Sequence, residues 1–209
     1  RRSGTATGDG KDAAALAANV ETPRVGAGMS MARLSPNLVL LPIAGLVLLL
    51  YLVAVAITIA LRLPWDMSLP IPVRALGLLA LAGGAGMAAW AIRFRGFQAL
   101  VESTWLTVRK LVRRAPLDSP RGRTEPLVVA GPYRHVRHPL YSGVVLLTFG
   151  IALAADRTAA LLGAFLLFLW FALVLAPFEE RELRLLCGEA YAEYMRRTPR
   201  LIPAPWRRS

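Results

Sequence analysis

Four stretches of the chain carry almost no charge, and the segments joining them are dense in arginine, proline and glycine. The first runs from Leu38 to Leu61 without a charged residue. As a helix it would be about 36 Å long at 1.5 Å per residue, more than the roughly 30 Å of a hydrocarbon core. Ser35 and Pro36 ahead of it suit an N-cap and a first-turn proline. The second stretch lies between Arg74 and Arg93, the third runs from Leu140 to Ala155, and the fourth from Thr158 to Phe178. Only Asp156-Arg157 separates the last two, which forces an antiparallel hairpin. Beyond it Leu183, Leu186, Cys187, Ala190, Tyr191 and Tyr194 recur at helical spacing until Pro199. The pattern predicts an all-α integral membrane fold: four transmembrane helices (about 37–61, 74–93, 140–155 and 158–178) and a cytoplasmic amphipathic C-terminal helix (about 179–197).

The connections fill in the domain plan. Residues 1–34 hold Gly, Ala, Thr and Asp with no periodic apolar face and read as a disordered leader, leaving 35–209 as one membrane domain. Arg62 to Pro72 is a proline-rich turn whose Trp65 suits a membrane interface. Ala82-Gly-Gly-Ala-Gly86, in the second stretch, lowers helix propensity but allows close helix contact in lipid. Phe97 to Val112 alternates apolar and polar positions as a membrane-surface helix would, and the proline-rich piece 115–132 returns the chain to the bilayer.

Composition narrows the class. The 209 residues are 56% hydrophobic, with a mean hydropathy of +0.49, too apolar for an ordinary soluble domain. A net charge of +12 would suit nucleic acid or an anionic membrane surface, and the four apolar runs decide for the membrane. Clustered basic residues place the N-terminus, the 93–139 loop and the C-terminus in the cytoplasm. Arginine dominates the basic set, as in GC-rich bacterial genomes, which suggests a bacterial inner membrane. The single cysteine, Cys187, excludes an intrachain disulfide and a multi-cysteine metal site.

Candidate chemistry concentrates in Gly131-Pro-Tyr-Arg-His-Val-Arg-His-Pro-Leu-Tyr-Ser-Gly143, which holds both histidines, His135 and His138. Pro132 and Pro139 stiffen it at the mouth of the third stretch, where ionisable groups point to function. The hairpin returns Glu179 and Glu180 to the same membrane face, and Arg196-Arg-Thr-Pro-Arg200 follows. Each group has a plainer reading. Arg134 and Arg137 could set topology, the histidines and glutamates could ligate a metal, and Tyr191 and Tyr194 could simply pack. Their joint occurrence on one face points to a pocket without a metal, because Pro139 interrupts the helix a ligand set would need.

The order Gly-Pro-Tyr-Arg-x-x-Arg-His-Pro-x-Tyr-x-Gly, a hydrophobic hairpin, Glu-Glu-x-x-Leu, Gly-x-x-Tyr-x-x-Tyr and Pro-Arg-Leu-Ile-Pro resembles the isoprenylcysteine carboxyl methyltransferase and phospholipid N-methyltransferase superfamily. It covers roughly residues 125–203. The resemblance implies an S-adenosylmethionine-dependent membrane methyltransferase that releases S-adenosylhomocysteine. The implied acceptor is lipophilic, an isoprenylcysteine-like carboxylate or a lipid headgroup amine, with membrane lipids as partners and no nucleic acid. It further implies cofactor contacts from Gly131, Pro132, Tyr133, Arg134, Arg137, His138, Pro139, Tyr141, Gly143, Glu179 and Glu180, with Arg200, Glu180 and His138 as catalytic residues. Two other readings share these residues: an NADPH-dependent reductase resembling the sterol reductases, and a non-enzymatic four-span protein that binds lipid or a partner through its basic loop.

Overall fold

The computed structural model describes residues 36–113 and 127–203; the expected leader and residues 115–126 of the proline-rich return lie outside the described residues. Among the described residues six helices carry the fold: α1 (Pro36–Ala60), α2 (Ile71–Arg95), α3 (Phe97–Arg113), α4 (Pro139–Ala155), α5 (Thr158–Leu169) and α6 (Ala176–Arg197). A 3₁₀ turn, Gly131–Arg134, precedes α4, and a π-helical segment, Trp170–Leu175, joins α5 to α6. Among the described residues three helical runs can cross a membrane by length and composition, within Ile43–Ala60, Ile71–Arg95 and Thr158–Arg197. At 17 residues, α4 is shorter.

The fourth apolar stretch and the C-terminal helix follow one another without a loop, as α5, the π segment and α6 of a helical run of 40 residues. Pro177 explains how the junction is made. Proline has no N–H, so it leaves a carbonyl one turn back without its helical partner. The backbone widens there into π geometry, with the Ala176 N–H bonding the Phe171 carbonyl. In that register the Ala172 carbonyl would look to Pro177, which cannot donate. Arg200 Nη1 donates to it instead, at 3.2 Å. The run also breaks locally at Gly188 (φ 54°, ψ −131°).

Large side chains point outward and small ones inward, the reverse of a soluble helix bundle. Leu48 and Ile59 of α1 are exposed while Ala54 and Thr58 are buried. Along α2, Leu76 and Leu79 are exposed, whereas Gly77, Gly84 and Ala91 are buried. Such surfaces are satisfied by lipid, and small residues let helix backbones approach each other. The closest approach is antiparallel, between α2 and α4. A Cβ on Gly84 would lie 2.7 Å from the Gly143 carbonyl oxygen, and one on Gly143 would lie 2.9 Å from that of Gly84. Gly77 and Gly150 repeat the relation two turns away, with a Cβ on Gly150 falling 2.7 Å from the Gly77 carbonyl. A spacing of seven keeps both contacts on one seam. Within the Gly-rich cluster Gly84 makes the close approach: a Cβ on Gly83 would meet Leu146 Cδ2 at an ordinary 3.6 Å, and one on Gly86 would meet nothing within 4 Å.

At the other end of α4 the Asp156-Arg157 turn clasps the loop after α1. Asp156 adopts a left-handed conformation (φ 57°), its carboxylate accepts from the Leu69 N–H at 3.1 Å, and Arg157 pairs with Asp66. With that end closed, the starts of α4 and α6 lie together at the opposite end, beside the C-terminal ends of α2 and α3.

Candidate functional site

Pro139 starts α4, so His138 before it is kept out of helical geometry (φ −123°, ψ 67°), and the N–H groups of residues 137 and 138 have no helical acceptor. The C-terminal segment supplies acceptors. Arg137 N–H donates to the Pro199 carbonyl at 2.9 Å, and His138 N–H to that of Arg200 at 3.1 Å. The Ser142 hydroxyl donates to the Leu201 carbonyl at 2.6 Å. The Tyr194 hydroxyl holds the 3₁₀ turn by donating to the Tyr133 carbonyl at 2.6 Å. Three separated sequence pieces are thereby fixed against one another by backbone.

Around His138 these pieces build a buried charge cluster. Its Nδ1 lies 3.4 Å from Glu179 Oε2 and its Nε2 3.2 Å from Glu180 Oε1. The Tyr141 hydroxyl donates to Glu179 Oε2 at 3.1 Å. Arg200 grips Glu180 with two parallel bonds, Nε to Oε1 at 3.0 Å and Nη2 to Oε2 at 2.8 Å, the bidentate geometry that suits guanidinium and carboxylate. Arg137 Nη2 stands 3.3 Å from Glu180 Oε1. The His138 ring stacks on Tyr141 (5.3 Å between centroids), which stacks on Phe171 of the π segment (4.7 Å). Burial alone would lower the pKa of the His138 imidazole. Hydrogen bonds to Glu179 and Glu180, and the charge on both, outweigh burial and hold the pKa above the ordinary histidine value.

A cavity of about 770 Å³, counted out to its open mouth, adjoins this cluster. Arg137, His138, Tyr141, Glu179, Leu183 and Tyr191 are among its lining residues. Glu179, Leu183 and Cys187 stand four residues apart on one face of α6. Arg137 is 9% exposed, and its Nε and Nη1 have no hydrogen-bond partner among the described residues.

The residues singled out from sequence fall into three groups. Arg137, His138, Pro139, Tyr133, Tyr141 and Glu179 line the cavity. Glu180 and Arg200 lie behind it and line a separate outer depression. Gly131, Pro132, Arg134 and Gly143 line neither. Gly131 takes positive φ (60°) where a Cβ would strike the Phe94 ring, Pro132 is buried, Arg134 is exposed, and Gly143 belongs to the α2–α4 seam. Sequence reasoning missed the wall contributed by α3, namely Leu100, Ser103 and Thr104. It also missed Glu182, a buried carboxylate that pairs with Lys110 of α3 and so docks that helix. Residues 179 and 182 lie about one turn apart on α6, and this spacing was the available signal.

Fold and site together define a helical membrane protein with a charged cavity at one end of its helices. A family model described as phospholipid methyltransferase matches residues 73–189, more than half of the chain, and the chain belongs to that family. It is accordingly a membrane methyltransferase, and the family implies S-adenosylmethionine as methyl donor. Comparison with curated proteins and with solved structures gives no match. The family match includes 131–143 and both glutamates but stops short of Arg200.

Proposed function

We propose that the cavity binds S-adenosylmethionine and that the protein transfers its methyl group to a lipophilic acceptor at the cytosolic membrane face. The observation that carries this reading is Arg137, whose buried Nε and Nη1 have no partner among the described residues, beside a cavity that also presents Glu179. Unsatisfied buried donors are costly, and a carboxylate is the partner their fork geometry suits. The methionine part of the cofactor offers that carboxylate, and its ammonium and sulfonium match the charge of Glu179. Leu100, Leu183 and Tyr191 supply apolar surface for the remainder. When bound, the cofactor provides an electrophilic methyl group on sulfur and leaves as S-adenosylhomocysteine.

The chain's own residues orient and desolvate, which can supply much of the barrier reduction in such a transfer. Glu180 is saturated by Arg200, His138 and Arg137. We assign it and Arg200 to positioning: they fix His138, which in turn holds Glu179 at the cavity wall. The family's phospholipid description favours a headgroup amine over a prenylcysteine carboxylate as acceptor. An ammonium must lose its proton before nitrogen can attack, and Glu179 is the carboxylate placed to receive it. In this reading the 17-residue α4 is a short third of four membrane crossings, and its start brings the cavity to the boundary where water-soluble cofactor and bilayer acceptor meet.

Isothermal titration of the detergent-solubilised protein tests the assignment. S-adenosylmethionine should bind saturably, and Arg137→Gln should weaken binding by about 10- to 100-fold, the worth of a charged hydrogen-bond pair. Unchanged affinity in Arg137→Gln, or saturable binding of NADPH in place of S-adenosylmethionine, would remove the reading.

A further inference from the structure

The two glutamates that open α6 face different hollows, and the second hollow has its own chemistry. Pro177, Glu180, Arg181 and Arg184 follow the i, i+3, i+4, i+7 pattern of one helix face. With Met195 and Arg200 they line an outer depression of about 430 Å³, counted out to open solvent. His138 lines the cavity and Glu180 lines the depression, and the two are 3.2 Å apart. The partition between the hollows is thus one hydrogen bond thick.

Charge in the depression is unbalanced. Its one carboxylate, Glu180, is already neutralised by Arg200, Arg137 and His138. Arg181 and Arg184 are exposed and form no ion pair with an acid among the described residues. The nearby Arg196, by contrast, bonds Glu189 and Glu193. Arg184 makes one weak contact, Nε to Met195 Sδ at 3.3 Å, which draws its side chain across the depression. Large apolar side chains stand near the lining residues along the chain: Leu173 four residues before Pro177, Leu185 four after Arg181 and Ile202 two after Arg200, exposed by 69%, 60% and 68%. An apolar rim continuous with a membrane-spanning helix, next to two uncommitted guanidinium groups, fits a molecule with an anionic head and an acyl tail.

We infer that Arg181 and Arg184 form a docking site for the phosphate of a bilayer lipid, with the acyl chains lying along Leu173, Leu185 and Ile202. The site is distinct from the cofactor cavity and does not depend on the methyl-transfer reading. Its ligand is a membrane lipid, not free phosphate, because the exposed apolar rim has no role toward an inorganic ion.

Native mass spectrometry of the full chain in a non-ionic detergent tests this with four probes: phosphatidylglycerol, diacylglycerol with the same chains, glycerol 3-phosphate and inorganic phosphate. Phosphatidylglycerol should be retained at least ten-fold more tightly than any of the other three. The double variant Arg181→Gln/Arg184→Gln should lose about ten-fold or more of that affinity with its melting temperature unchanged. Arg196→Gln/Arg197→Gln, which removes the same formal charge, should keep wild-type affinity. Equal losses in the two double variants would show that net charge alone is read, and would overturn the site. So would retention of diacylglycerol as tight as that of phosphatidylglycerol. Inorganic phosphate that displaces the lipid at concentrations like the lipid's own would overturn the lipid assignment.

Discussion

Neighbouring glutamates with the same chemistry end in opposite surroundings because successive helical residues point about 100° apart. Glu179 meets the cavity, while Glu180 turns to the back and is clamped by two arginines and a histidine. His138 stands between them, and its raised pKa carries a consequence for stability. A histidine that binds its proton more tightly folded than unfolded stabilises the fold fully below its unfolded value near 6.5. That contribution disappears as pH rises through the higher folded value. The melting temperature should therefore fall as pH increases from about 6.5 upward, and the His138→Gln variant should lose that slope. A wild-type profile as flat as the variant's would mean that the imidazole is neutral between its carboxylates.

At the scale of elements, the α2–α4 seam sets how closely the cluster's supporting helices can lie. Gly84→Ala places a methyl against the Gly143 carbonyl, and overpacking of this kind costs roughly 1–3 kcal/mol. Gly86→Ala meets nothing and should be neutral or slightly stabilising. Thermal melts of the two variants in detergent should separate by several degrees, and coincident melts would contradict the seam. The sequence made part of this legible. The Asp156-Arg157 hairpin and the start of α4 at Pro139 follow from two polar residues and one proline. The glycine cluster drew attention to α2 but not to the seam, because Gly77 and Gly150 each stand singly, one between leucines and the other between Phe149 and Ile151. Their role depends on which face of α2 meets α4, and uniformly apolar helices carry no amphipathic signal to say so. Likewise the order of motifs brought His138 and Glu180 together, but it could not distinguish the carboxylate facing the cavity from the one that is clamped. The side each faces is set by the helix's rotation about its axis.

Across the whole molecule, that rotation is set at one place. Between Thr158 and the break at Gly188 the run would be a plain rod were it not for the wide turn over Trp170–Leu175 that ends just before Pro177. A π turn holds one residue more than a regular turn would, so it works as a phase shifter between the lipid-facing half and the polar half. Deleting Leu173, which is exposed and makes no hydrogen bond through its side chain, should let the rod relax to regular winding. Every side chain past Pro177 would then swing by about 100°. Helix content by circular dichroism should barely change, whereas affinity for S-adenosylmethionine should collapse as Glu179 leaves the cavity wall. Unaltered affinity would show that the turn is not the regulator of azimuth. In that sense the protein's polar half is aimed by a single surplus residue, and spacing along this rod matters more to its chemistry than the identity of the aliphatic residues that fill it.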